Sequence, residues 1–285
     1  MVGGGAAAVV AALGGGVAAE WDNPRVVRLR GGCGDEPPVP PSGYTVMRGV
    51  FDSTAMHGKV PWAFAAPRAL VNGFGPPKHL PVVLCLSGLG DDITMATAGI
   101  GFPGFATAAR LGLTFAIPGG GGDLYWHPRA DGRDPLAWAV DEFLPMVENR
   151  FHVGGSPKRR GAIGWSMGGY GALLVAQQRP KTVGAVAALS PAVFPSYDAA
   201  RSGHSYTFDS EADWERYGLW DHLDDLTGTR VRIDCGNYDP FAPTARELLK
   251  RIPGAVGGIS SGCHDEAFWR RRATTSLRFL ESSLS

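Results

Sequence analysis

The stretch GWSMGGYGAL, residues 164–173, decides how the rest of this chain is interpreted. Its first five residues match the pattern G-x-S-x-G, in which a serine stands at a sharp turn between a strand and a helix. The context fits, because the apolar pair Ala162-Ile163 leads into the pattern and small residues lead out of it. Such a turn lifts the hydroxyl of Ser166 above the edge of a sheet, and only small neighbours fit where the backbone folds tightly. The pattern therefore predicts a serine placed to act as a nucleophile.

Short apolar stretches alternate with helical periodicity on both sides of this motif. Residues 81–86 form a continuous apolar run, typical of a strand buried on both faces, and residues 134–151 carry apolar side chains at a 3.6-residue period. The predicted strands are 26–30, 44–50, 59–66, 81–86, 113–117, 161–165, 183–189, 231–235 and 255–260, and the predicted helices are 103–111, 134–151, 167–178, 244–252 and 266–280. This alternation predicts the α/β fold class, with a mostly parallel central sheet and helices on both faces.

The segment 191–229 interrupts the alternation with polar residues and scattered aromatic side chains. We interpret it as a short, lid-like excursion over the carboxyl edge of the sheet. The sequence contains no internal repeat, no heptad pattern and no linker between two domains, so we predict one domain over residues 20–285.

The composition of the 285-residue chain is that of a globular protein, with 44% hydrophobic and 19% charged residues. This excludes a disordered chain and a small disulfide scaffold. Lys plus Arg and Asp plus Glu number 27 each, so no net field attracts nucleic acid or an anionic membrane surface.

Residues 1–19 have the features of a leader segment. No residue from Val2 to Ala19 is charged, thirteen of these eighteen are Gly or Ala, and small residues precede Glu20. We therefore expect a secreted or cell-envelope protein, although the basic residues that normally begin such a signal are missing. A transmembrane helix and a disordered tail are the alternatives, and a leader without function would leave the protein in the cytoplasm.

The four cysteines, Cys33, Cys85, Cys235 and Cys263, form no C-x-x-C pair, which excludes structural zinc and thioredoxin chemistry. An exported protein can form disulfides, and three connectivities are possible. Only Cys235 and Cys263 have a motif-based reason to lie close together, because they follow the last two predicted strands. Cys85 lies in an apolar run and is expected to be a buried thiol.

A serine nucleophile needs a base that is held in place by a third group. In this architecture the acid and then the histidine follow the serine, each just beyond a strand end. Asp239 follows the strand 231–235 and His264 follows the strand 255–260, so we predict Asp239 as the acid and His264 as the base. Asp234, inside its strand, and Asp265, directly after the histidine, are weaker candidates for the acid.

Backbone amides are expected to stabilise the charge that develops on the substrate oxygen. The amide of Met167 follows the serine at the positive end of a helix. A second donor is expected in the loop after the third core strand, where the sequence reads Ser87-Gly88-Leu89-Gly90. Its glycines allow the backbone to turn an N–H inward, and we predict the amide of Leu89.

Residues 164–173, together with Leu86-Ser87-Gly88-Leu89, resemble the esterase D family of α/β-hydrolases. That family includes S-formylglutathione hydrolases and, more distantly, secreted mycolyltransferases, and the similarity runs from about Pro81 to the C-terminus. It implies an α/β-hydrolase fold without a cofactor, a triad of Ser166, Asp239 and His264, and an oxyanion hole formed by Leu89 and Met167.

The chain departs from this resemblance at Gly90-Asp91. S-formylglutathione hydrolases have Thr-Cys at these positions, and mycolyltransferases typically have Arg at the first. Neither narrow substrate can be carried over, so the expected activity is that of a serine esterase acting on a small-molecule or lipid ester through an acyl-enzyme. Alternatives are an acyltransferase that uses a sugar or lipid hydroxyl, and a non-catalytic binding protein. Acyl-chain length, leaving group and oligomeric state are left open.

Other motifs carry less weight. Residues 99–104 fit G-x-G-x-x-G but follow a polar loop, and the four glycines 119–122 lack the Lys of a phosphate loop, although they end a strand at the expected cleft. None of the seven histidines has metal-ligand spacing, so no metal is expected. The aromatic candidates for substrate binding, each with ordinary core packing as its alternative, are Trp165, Tyr125, Trp126, Trp214 and Trp220.

Overall fold

A computed structural model describes residues 32–71, 79–121, 123–204 and 206–284. The leader segment 1–19 and the strand predicted at 26–30 lie outside these residues. Eight strands form one open sheet in the order β1-β2-β4-β3-β5-β6-β7-β8. Their bounds are β1 Tyr44–Ser53, β2 Gly58–Pro67, β3 Val82–Leu86, β4 Thr114–Pro118, β5 Arg160–Trp165, β6 Ala185–Leu189, β7 Arg230–Gly236 and β8 Val256–Ser260.

The six strands from β4 to β8 along this order are parallel, and only β1 and β2 run antiparallel to their neighbours. The predicted α/β class with a mostly parallel sheet is therefore confirmed. Strands β3, β4 and β6 are buried at every residue, as expected of strands covered on both faces, whereas the edge strand β1 alternates between half-buried and exposed residues.

Helices cover both faces of the sheet. Their bounds are α1 Arg68–Val71, α2 Phe102–Ala109, α3 Pro135–Ala137, α4 Leu144–Phe151, α5 Met167–Gln178, α6 Tyr197–Gly203, α7 Glu211–Tyr217, α8 Ala242–Arg251 and α9 Glu266–Ser283. The helix predicted at 134–151 is continuous but contains a π-helical segment, Trp138–Phe143, and the Asp134 side chain caps its first turn by accepting from the Ala137 amide. Sequence periodicity missed α1 and the short π-helix Met95–Gly99, which are too brief to show a period.

The hydrophobic core has two layers, one on each face of the sheet. Alternate residues of β3 enter opposite layers, with Leu84 in one and Val83 in the other, because successive side chains of a strand point to opposite faces. Helix α5 packs in the first layer, and α2 and α9 pack in the second. Among the described residues, no helix combines the length and apolarity needed to cross a bilayer.

The excursion 191–229 folds as α6, α7 and a 3-10 turn at Trp220–Leu226. It is fastened to α5, because the Tyr170 hydroxyl donates to the Tyr217 carbonyl at 2.8 Å and Gln177 Nε2 donates to the Gly218 carbonyl at 3.4 Å. At its start, Phe194 lies edge-to-face against Phe241 with ring centroids 5.4 Å apart. Most of the excursion therefore packs on a helix, and Phe194 connects it to the carboxyl edge of the sheet.

Candidate active site

Ser166 stands at a strained turn between β5 and α5. Its backbone angles, φ 54° and ψ −123°, are unfavourable for a residue with a side chain and are of the kind that concentrates at functional sites. Two backbone hydrogen bonds of 2.9 Å, to Leu189 and from Ala192, hold the turn in place. The predicted strand-turn-helix arrangement is therefore present.

Two glycines make this turn possible. A Cβ atom on Gly164 would lie 2.0 Å from the carbonyl oxygen of Gly168, and one on Gly168 would lie 1.9 Å from the carbonyl oxygen of Leu86. Both contacts are with backbone atoms, which cannot move aside by changing a side-chain rotamer. Close packing of β3, β5 and the first turn of α5 therefore requires glycine at both positions.

Ser166, His264 and Asp239 form a continuous hydrogen-bonded chain. The Oγ atom of Ser166 is 2.8 Å from Nε2 of His264, and Nδ1 of His264 is 2.8 Å from Oδ2 of Asp239. Asp239 is only 4% exposed, and its other oxygen accepts from the Phe241 amide at 2.8 Å. The loops after β7 and β8 thus bring the predicted acid and base to the serine, across 98 residues of chain in the case of His264.

The weaker candidates for the acid have other partners. Asp265 begins α9, where its carboxylate accepts from the Phe268 amide at 2.9 Å. Asp234 is fully buried in β7 and pairs with Arg232 and Arg272 at 2.6 and 2.7 Å. Neither residue takes the position that Asp239 holds at the imidazole.

The surroundings of His264 favour its protonated form. Burial alone lowers the pKa of this imidazole, but the carboxylates of Asp239, Asp265 and Asp91 outweigh burial, and the net pKa lies above the ordinary 6.5. A base with a raised pKa accepts a proton from a hydroxyl more readily than an unperturbed histidine. The structure therefore brings together a serine hydroxyl, an imidazole with a raised pKa and a buried carboxylate bonded to that imidazole, in the arrangement that the sequence predicts for a nucleophile, its base and the acid.

Leu89 lies in a tight turn beside the start of α5. The Asp91 amide donates to the Gly88 carbonyl at 3.2 Å, and Gly90 has φ 73°, which makes residues 88–91 a β-turn with glycine at its left-handed position. The glycine contact between Gly168 and the backbone of residues 86–87 places this turn directly against the first turn of α5, where Met167 lies. The two predicted oxyanion donors are therefore on adjoining segments.

Most of the aromatic candidates for substrate binding are core residues. Trp126 and Trp165 are completely buried and Tyr125 is 2% exposed, while the indole N–H of Trp220 donates to the Phe194 carbonyl at 2.5 Å. Burial of these four side chains favours the alternative of core packing over contact with substrate, because a buried side chain offers little free surface. Trp214 is half-buried in the excursion and packs against the core.

Cys263 is joined by a disulfide to Cys33, with their Cα atoms 4.9 Å apart. Cys235, which the sequence suggested as a neighbour of Cys263, is not bonded to it, because Cys263 is bonded to Cys33. Cys235 is a buried free thiol inside β7. Cys85 is also a buried free thiol, as its apolar run predicts. The carboxylate of Asp265 lies within 4.8 Å of both disulfide sulfurs, but bonded sulfurs provide no thiolate for a metal ion.

Comparison with known proteins places this geometry in a family. A family model described as "Putative esterase" matches residues 53–255. The chain belongs to this esterase family. Its membership agrees with the resemblance to the esterase D family and with the α/β-hydrolase fold.

Individual relatives of this chain are more distant. Lipase 1 of Moraxella sp. (strain TA144) is 35% identical over 103 residues, which cover 34% of this chain and 32% of that lipase, so the match spans about a third of the relative's length. A solved ferulic acid esterase has a TM-score of 0.69 at 21% identity and covers 85% of this chain and 99% of its own. An S-formylglutathione hydrolase from Agrobacterium tumefaciens has a TM-score of 0.70 at 18% identity, covering 88% and 99%. At these identities the two structures establish the shared fold.

A cavity of about 1190 Å³ opens beside the turn at residues 88–91, where Asp91 is one of the lining residues. Asp91 lies at its border, and the glycine-rich loop contributes Gly119 and Gly120. Many of the other residues that line the cavity are charged or polar, and two of them, Arg129 and Asp209, form an ion pair of 2.5 Å. Sequence reasoning missed this pair, because its members are 80 residues apart and no motif marks either one.

Proposed function

We propose that the protein is a serine-dependent carboxylic ester hydrolase that works through an acyl-enzyme. The observation that carries this proposal is the chain of two 2.8 Å hydrogen bonds from Ser166 through His264 to the buried Asp239. Membership of the esterase family supports it independently of this geometry. The substrate is a small-molecule or lipid ester.

In this mechanism, Asp239 accepts from Nδ1–H of His264 and so leaves Nε2 free to accept a proton. Ser166 Oγ attacks the ester carbonyl carbon while its proton moves to Nε2, and the carbonyl π electrons move to the oxygen. The amides of Leu89 and Met167 stabilise that oxyanion. Collapse of the tetrahedral intermediate breaks the bond to the alcohol, which takes the proton from His264 and leaves an acyl-enzyme.

The second half of the cycle repeats these proton transfers with water. His264 takes a proton from a water molecule as its oxygen attacks the acyl carbon, and Ser166 leaves with that proton. We favour water over a sugar or lipid acceptor because the cavity that Asp91 borders is lined largely by charged and polar side chains, which are strongly hydrated groups. Product analysis with an added sugar tests this choice, since free acid supports hydrolysis and an acylated sugar supports transfer.

We also propose that the protein is exported. The uncharged leader segment favours this, and the Cys33–Cys263 disulfide supports it because such bonds persist in oxidising compartments. Cell fractionation, combined with the mass of the mature protein, tests export directly. Recovery of the protein only from the cytoplasm with free Cys33 would contradict it.

Fluorophosphonate labelling of the full chain tests the proposed nucleophile. We expect a single adduct on Ser166, none in Ser166→Ala and a greatly reduced rate in His264→Ala, because the probe reacts only with an activated serine. Ser261→Ala is the matched control, since Ser261 is an exposed serine three residues before His264. Labelling that survives in folded Ser166→Ala would overturn the assignment.

A further inference from the structure

A partly buried hydrogen bond joins the turn at residues 88–91, the oxyanion turn, to the turn at Trp165-Ser166-Met167, the nucleophile turn. The indole Nε1–H of Trp165 donates to Oδ2 of Asp91 at 2.7 Å. Asp91 lies two residues after Leu89, and Trp165 immediately precedes Ser166. This single bond therefore connects the segments that carry both proposed oxyanion donors.

The residues around this bond leave room for it and hold its donor in place. A Cβ atom on Gly88 would lie 2.8 Å from Oδ2 of Asp91 and 3.0 Å from Nε1 of Trp165, so glycine leaves space for the carboxylate and the indole to meet. The Trp165 ring is completely buried and packs against Phe102 and Trp269 with centroids 6.0 and 6.4 Å away. The donor is thus held by the core, and Asp91 is the partner that ties the turn to it.

Asp91 also acts electrostatically on the active site. Its carboxylate is one of three, with Asp239 and Asp265, that raise the pKa of His264. Burial raises the pKa of Asp91 itself, opposed by the hydrogen bonds from Trp165 and the Gly88 amide and by His264, while the neighbouring Asp92 raises it further. A negative charge near an imidazole favours the protonated form of that imidazole.

We propose that Asp91 is a positioning residue, which fixes the turn at residues 88–91 against the turn at Ser166 through its hydrogen bond with Trp165. This inference rests on the proposed hydrolase function. It gives a role to the residue at which the chain departs from the S-formylglutathione hydrolases. Ser166, His264 and Asp239 retain their assigned chemical steps.

A double-mutant cycle tests the proposed role of the hydrogen bond between Asp91 and Trp165. Asp91→Ala and Trp165→Phe should each lower kcat by about tenfold to a hundredfold with little change in KM, because small displacements of catalytic groups have effects of that size. Trp165→Phe keeps an aromatic ring in the core. The double variant should lose little more than either single variant, because both remove the same bond. Fully additive losses, or an unchanged kcat in Asp91→Ala, would overturn the proposal.

Asp91→Asn separates the hydrogen bond from the charge, because its amide oxygen still accepts from Trp165 while the charge is gone. The acid limb of kcat/KM should move to lower pH, with kcat closer to wild type than in Asp91→Ala. Asp92→Asn is the charge-matched control: Asp92 is exposed and bonded to Thr94 Oγ1 at 2.6 Å, so it should shift the limb less. A kcat in Asp91→Asn as low as that of Asp91→Ala would contradict a role through the bond to Trp165.

The two proposals fail in different ways. If wild-type protein does not react with the fluorophosphonate at Ser166, the hydrolase function fails. If wild type reacts and the Asp91 variants are folded and indistinguishable from it in kcat and pH profile, only the positioning role fails. Thermal unfolding of each variant establishes that a lost rate does not reflect lost structure.

Discussion

The turn around Ser166 and the loop around His264 bring Oγ of Ser166 to 2.8 Å from Nε2 of His264. The two segments are nevertheless held in place by different kinds of interaction. At the Ser166 turn, glycines allow backbone to touch backbone, as Gly168 does with Leu86. The participating segments β3, β5 and α5 all pair or pack within the centre of the sheet. The nucleophile is therefore positioned by close packing, which leaves no room for adjustment.

The His264 loop is hydrogen-bonded through Gly262 to Asn237 and Tyr238 after β7, and it is also fastened from outside the sheet. Cys263 is bonded to Cys33, which is 230 residues away, and Arg271 of α9 donates to the carbonyl of Cys33 at 2.6 Å. Arg270 pairs with Glu36 of the same N-terminal segment. The His264 loop thus depends in part on a removable cross-link, a hydrogen bond and an ion pair to the N-terminal segment, so the two halves of the site should respond differently to substitution.

Asp239→Asn should have the largest effect, because it removes the charge that orients His264 without altering the Ser166 turn. We expect kcat to fall about 10⁴-fold, the size of effect seen when the acid of such a triad becomes an amide. Steady-state kinetics with a chromogenic ester measures the loss. Asp265→Asn is the control, since that carboxylate caps α9 and should cost far less activity. Comparable losses in both variants would mean that the acid has been assigned wrongly.

Gly168→Ala tests how rigid the Ser166 turn is. Its Cβ atom would lie 1.9 Å from one backbone oxygen and 2.6 Å from the next, so we expect a loss of about 3 kcal/mol in the free energy of unfolding. Denaturant titration measures this value. Gly58→Ala is the control, because nothing lies within 4 Å of its added Cβ, and it should change stability by less than about 0.5 kcal/mol. A stable, active Gly168→Ala protein would show that the turn can adjust.

Cys33→Ser tests the cross-link that holds the His264 loop. We expect the free energy of unfolding to fall by about 2 to 4 kcal/mol, because the unfolded chain regains the freedom that the bond removes. Reductant should lower wild type to the level of the variant and leave the variant itself unchanged. If reductant destabilises both proteins equally, the stability does not come from this disulfide.

The pH dependence of kcat/KM is expected to change the rate less than these substitutions change activity or stability. His264 acts as a base only when neutral, and its pKa is raised, so activity should be complete at high pH and fall tenfold per unit below a midpoint above 6.5. A profile measured from pH 5 to 9 locates that midpoint. Cys33→Ser should share it, because the cross-link carries no charge near the imidazole. A midpoint below 6.5 would show that burial outweighs the carboxylates.

Much of the fold and the arrangement of the candidate site followed from local patterns. The run at 81–86 and the motif at 164–168 predicted their strands because burial on both faces demands continuous apolar residues. Asp239 and His264 were found because each follows a strand, and the carboxyl ends of parallel strands meet at one edge of a sheet. These signals lie within a few residues of the groups that they identify.

Other features were decided by the tertiary structure alone. The partner of Cys263, the bond between Asp91 and Trp165, and the ion pair beside the cavity join residues 230, 74 and 80 positions apart. No local pattern records which side chains meet across such distances, since that depends on how the layers pack. Burial of Trp126 and Trp165 has the same origin, because an aromatic residue near a strand end can face either the cleft or the core. The sequence by itself determined the order of the serine, the acid and the histidine along the chain. Packing of the layers decided which contacts hold each of these groups in place.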